Sequence, residues 1–148
     1  MKKVIFVFAL LLIASFNKSA AEQVIHSYLY HGFKVYEREG NLIRDLPSSN
    51  GDPIGIFIVA EIDGEKYLSI TLGDKTAYEF RVALSKNIDE DDGTHTDLYA
   101  GGMAFEGQTV PLQVFIFYSK STIPDAIIVD VFKSPTLIEL SRLVKAGH

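Results

Sequence analysis

Cysteine and tryptophan are both absent from this chain of 148 residues. Without cysteine there is no disulfide, no CxxC pair and no lipid-modified N-terminal cysteine, so packing alone has to stabilise the fold. Without tryptophan, a sugar-stacking platform is disfavoured. A Gly-rich phosphate loop, HExxH and GxSxG are missing too, and with them the usual signatures of phosphate transfer, zinc peptidase and serine hydrolase chemistry. No apolar run reaches the roughly 20 residues that a membrane-spanning helix needs. There is no internal repeat, low-complexity tract or dividing linker.

The longest apolar run, Val4 to Ala14, has the surroundings of an export signal. It follows Met1-Lys2-Lys3 and precedes Ser19-Ala20-Ala21, which places small residues at −3 and −1 of a cleavage site after Ala21. Residues 1–21 are therefore expected to be a signal peptide and 22–148 a single β-rich domain, exported to a bacterial periplasm and free of the membrane after cleavage. The leader takes Lys2, Lys3 and Lys18 with it, leaving eleven basic residues against 19 acidic ones, a balance of −8. That sign argues against nucleic acid or anionic lipid as partner. It fits a basic protein or a cation, and equally a plain need for solubility.

The most legible stretch is Ile54 to Lys86, three strands joined by two tight turns. Asp63-Gly64 suits a type I′ turn and Gly73-Asp74 a type II′ turn, so two hairpins in succession form a meander. Ile54 to Ile62 is apolar on both faces and is expected to be covered twice. Tyr78, Phe80, Val82 and Leu84 should share one side of the third strand. Before the meander, Gln23 to Tyr30 and Phe33 to Glu37 read as strands broken at Gly32, Leu42 to Arg44 as a short strand, and Asp45 to Pro53 as a loop. After it come an acidic loop from Asn87 to Thr96, a strand Asp97 to Phe105 with a bulge or close approach at Gly101-Gly102, and strands Val110 to Tyr118 and Asp125 to Lys133. Ser134-Pro135 then supplies an N-cap and a first helical proline, Leu137, Ile138, Leu140, Leu143 and Val144 form an apolar stripe, and Gly147 is a stop. An amphipathic helix of about three turns is expected there. The fold class is mainly β: an antiparallel meander forming a sandwich or up-and-down barrel, with one C-terminal helix packed on it.

Asp89, Asp91, Asp92, His95 and Asp97 are the one dense group of possible metal ligands, but with Gly93 at position six of a calcium loop, positions one and twelve become Ile88 and Tyr99. No metal and no cofactor is expected. His95 and Asp97 would share a face if their strand began early, orienting the imidazole, yet no nucleophile or second acid stands beside them. His26 and His31, five apart, point to opposite faces. Tyr28 and Tyr30 share a face and could line a barrel cavity. The expectation is a non-enzymatic, exported protein-binding domain, an inhibitor or immunity-type partner of a basic hydrolase, binding through Asp89, Glu90, Asp91 and Asp92. The alternative is a carrier of a small hydrophobic ligand held near Tyr28 and Tyr30.

Overall fold

Nine strands and no helix make up residues 23–47, 51–71 and 77–146, the part of the chain that the computed structural model describes. The expected signal peptide, the Gly73-Asp74 turn and Gly147 lie outside the described residues. The strands are β1 (Gln23–Glu37), β2 (Leu42–Pro47), β3 (Gly55–Ile62), β4 (Glu65–Thr71), β5 (Ala77–Asp89), β6 (His95–Phe105), β7 (Gln108–Tyr118), β8 (Ala126–Val131) and β9 (Thr136–Lys145). All pairings are antiparallel. From β3 to β9 each strand pairs with the next, and β9 returns to β1, which pairs with β3. Eight strands therefore close into a barrel, and β2 is an extra strand outside the ring.

Strand β1 makes the closure possible through its length. One of its edges carries β3 over Gln23 to Tyr30 and β2 over Gly32 to Tyr36, while the other carries β9 from Tyr28 to Glu37. Gly32 does not break it. Of the expected loop Asp45 to Pro53, the first three residues extend β2. The Asp63-Gly64 turn is as expected, with positive φ at both residues (55° and 80°) and Ile62 paired with Glu65. Glu106-Gly107 repeats the device between β6 and β7.

An eight-stranded barrel has an interior that side chains can fill. Tyr30, Phe57, Leu68, Val114, Ile116, Ile127 and Leu140 are fully buried there. On β3, Ile56 and Ala60 are buried as well as Phe57 and Val59, so both faces of this strand are covered, as its composition implies.

The C-terminal helix is not present: residues 136–145 form β9, pairing with β1 on one side and β8 on the other. Leu140 and Leu143 are both buried although three residues apart, which imitates the helical period. The spacing comes from a matched irregularity. Tyr30 lies opposite Leu143 and Phe33 opposite Leu140, so both strands take a three-residue step, with Arg142 at φ 50°. His31 and Arg142 hold the step from outside, the ring nitrogen 3.0 Å from Arg142 O and the guanidinium donating to His31 O at 3.1 Å. Ser134, expected as an N-cap, instead works in the β8–β9 turn, its Oγ accepting from Thr136 N at 3.3 Å.

Candidate functional site

One mouth of the barrel is polar, and a bulge on β5 sets a carboxylate beside it. The β5–β6 register shifts between Val82 and Leu84. Continuing the earlier register, Ile88 would face His95 and Lys86 would face Asp97; with one residue added, Asp89 faces His95 and Asn87 faces Asp97. The same shift turns Leu84 outward, 57% exposed, so the expected apolar face of β5 ends at Val82. Gly101 lies against this bulge: a Cβ there would stand closer than 3.0 Å to Arg81 O and Arg81 C. The close approach expected at Gly101-Gly102 is therefore real, and its partner is the backbone of β5.

At the rim, His95 Nδ1 lies 2.5 Å from Asp89 Oδ1 and Nε2 lies 2.6 Å from Asp97 Oδ1. Two carboxylate acceptors favour the imidazolium, the form in which both nitrogens donate. The hydrogen bond to Asp89, then that to Asp97, raises its pKa above the ordinary value against the opposing effect of desolvation. While both carboxylates are held in this way, neither His95 nitrogen has a lone pair free to act as a base. Asp89 is largely exposed, whereas Asp97 is buried at 7% exposure.

The groups around this clamp come from β1 and β7. Tyr118, opposite His95 across the β6–β7 ladder, tilts against its ring at 5.5 Å. Tyr118 and Tyr28 hydroxyls are 3.3 Å apart, and His26 Nδ1 is 3.4 Å from the Tyr28 hydroxyl with the two rings stacked. Burial lowers the pKa of His26; the Asp97 carboxylate opposes this, and Lys145 and Lys66 reinforce it. Burial likewise raises Tyr28 and Tyr118, and pushes Tyr99, one layer below, up to about 12. The mouth thus holds two imidazoles on different strands whose pKa values folding moves in opposite directions, His26 down and His95 up. Environments that drive like groups apart in pKa are typical of functional sites.

These residues open on a cleft of about 930 Å³, bounded also by Val24 to Ser27, the Ser119 to Thr122 loop and Lys145. The chain matches no known protein family, no curated protein and no solved structure.

The residues singled out from sequence separate here. Tyr28 lines the cleft, but Tyr30 sits deeper, fully buried, with its hydroxyl donating to Thr71 O. His31 is on the outer surface with Arg142. Of the four acids, Asp89 holds His95 and Asp92 accepts from Thr94 N (2.9 Å) and Thr94 Oγ1 (2.7 Å). Glu90 and Asp91 remain exposed at the hairpin tip. Among the described residues, no group of three or more histidine and acidic side chains is arranged to hold a metal ion. Tyr118 could be counted from sequence among the tyrosines able to line a barrel cavity, but its meeting with Tyr28 and the pairing of His26 with Tyr28 were missed. The latter was available from the two-residue spacing; the former depends on β1 meeting a strand 90 residues later.

The two imidazoles should make opposite contributions to stability. His95 is raised by folding, so its contribution is complete below the unfolded value of about 6.5 and is lost as pH rises through the folded value. His26 is lowered, so its contribution is present above about 6.5 and is lost as pH falls through the folded value. In an NMR titration, Asp97→Asn is expected to lower the pKa of both rings and Asp89→Asn that of His95. Added salt should erase the effect of exposed Asp89 before that of buried Asp97. An unmoved His95 in both variants would contradict the clamp.

Proposed function

We propose that this protein binds a small, oxygen-bearing ligand in the mouth framed by His26, Tyr28, His95, Asp97 and Tyr118. The observation that carries the reading is the long spacing of the inner chain. At 3.3 and 3.4 Å the Tyr28, Tyr118 and His26 contacts exceed ordinary O–H hydrogen-bond lengths, so these groups are positioned but weakly engaged. The clamp beside them is saturated by short, charge-assisted bonds and acts as the rigid wall. What the cleft offers a ligand is therefore mainly donors: two tyrosine hydroxyls, with Lys120 and Lys145 at the margin. Carbonyl or carboxylate oxygens match them. The cleft falls within the roughly 300–1,000 Å³ of ordinary small-molecule sites. Binding without catalysis fits a site in which both His95 nitrogens are engaged by carboxylates.

Saturation-transfer NMR against a panel of small carboxylic and hydroxy acids tests this reading. A ligand found in that way should bind about tenfold more weakly to Tyr118→Phe and to His26→Ala, the loss expected for one hydrogen bond to a charged group. Asp91→Asn should leave it unchanged. Equal affinity in all three variants would remove the mouth from the account.

The acidic hairpin supports a second reading, a basic protein partner. Two of its four charges are used internally, and the Asp92 bonds fix the tip so that Glu90 and Asp91 are displayed in one arrangement. Replacing both with their amides should slow association with such a partner and flatten its salt dependence. Unchanged association rates would discard the hairpin as the contact.

A further inference from the structure

The opposite mouth of the barrel has the contrary chemistry. Seven of the eight barrel strands, all but β3, line a cavity of about 210 Å³ there. Phe33, Phe80, Met103, Val131 and Ile138 are among its walls, and among the described residues no charged one lines it and Tyr78 is the one with a polar side-chain atom. It shares no residue with the polar cleft. Along β7, Leu112 lines the cavity, fully buried Val114 and Ile116 follow, and Tyr118 lines the cleft, so core layers separate the two.

We propose that this cavity is a second binding site, one that takes a small uncharged apolar molecule the size of a single aromatic ring or a short alkyl chain. A water in its inner part, away from the open end, would need two to four polar partners, and one hydroxyl does not supply them. Apolar cavities of about 150 Å³ lined by Leu, Ile and Phe stay dry and accept benzene, and this one is larger with similar walls. A carboxylate on the same ring would lose its hydration with no partner in return, so the site discriminates by charge rather than by shape. The two mouths are thus set for different chemistry: donors for oxygen at one, hydrocarbon at the other.

Met1 and Met103 are the only methionines in the chain, so methyl-labelled methionine gives the cavity its own NMR reporter. Benzene should move the Met103 methyl in a saturable manner through the ring current, and benzoate at the same concentrations should not. Val131→Phe, which fills the cavity, should abolish the benzene response, whereas His26→Ala should preserve it, because the two sites are independent. Should Val131→Phe fail to fold, Ile138→Phe takes its place, and the contrast between benzene and benzoate in the unaltered protein is decisive alone. A Met103 methyl that ignores benzene overturns the proposal. So does one that responds equally to benzoate, to benzene in a filled variant, or only when His26 is intact.

Discussion

Gly101→Ala is expected to lower the unfolding free energy by about 3 kcal/mol or more, beyond the usual cost of overpacking because the new methyl meets backbone rather than a movable side chain. The Cβ would collide with Arg81 O and Arg81 C, the carbonyl immediately before the β5 bulge. Relief requires β5 and β6 to separate, and that pairing is part of the closed wall. Gly102→Ala is the comparison: its Cβ would meet Thr109 Cγ2, a side-chain atom of an exposed residue and not backbone, and about 1 kcal/mol should suffice. Urea unfolding followed by circular dichroism measures both. The difference matters for the site as well as for stability, because the bulge is what sets Asp89 opposite His95. In whatever fraction of Gly101→Ala folds, the His95 pKa should fall back toward its ordinary value. Equal stability of the two alanine variants would mean that β5 and β6 do not approach at Gly101.

This dependence explains why the meander was legible and the site beside it only in part. Asp63-Gly64 states its turn locally, since few residues tolerate two successive positive φ angles, and the flanking strands follow. The face change on β5 has no local mark: Val82-Ala83-Leu84 continues the alternation without a break. Its cause sits on β6, where Gly101 admits the carbonyl of Arg81. Asp89, His95 and Asp97 looked from sequence like a failed calcium loop, because a loop is read by spacing along the chain. The contact of His95 with Asp97 follows from their two-residue spacing on a strand that begins at His95, as the sequence allows, whereas Asp89 meets His95 across strands and one inserted residue creates that relation. Tyr28 and Tyr30 were grouped correctly by face, but a shared face says nothing of depth: one reaches the mouth and the other the core. Tyr118 belongs to the site only because the barrel closes, and closure is a property of β1 and β9 together.

Strand β9 is therefore the element on which the polar mouth and the apolar cavity both rest, and it yields the second large prediction. Leu140→Ala should cost about 2–5 kcal/mol, the range for truncating a buried leucine where the surroundings collapse only in part. Leu140 is fully buried, pairs across to Phe33 on β1 and Ile127 on β8, and lines the apolar cavity, so its loss enlarges a void that already exists. Val144→Ala should cost under about 0.5 kcal/mol, as surface changes do, because Val144 is 44% exposed. A helix in these residues would place Leu140 and Val144, four apart, on one buried stripe and make both substitutions costly. Comparable losses at the two positions, measured by denaturant unfolding, would thus restore the helix and open the barrel. A loss confined to Leu140 leaves β9 as the closing strand. The three-residue step at His31 and Arg142 is then the reason that a strand carries the spacing of a helix.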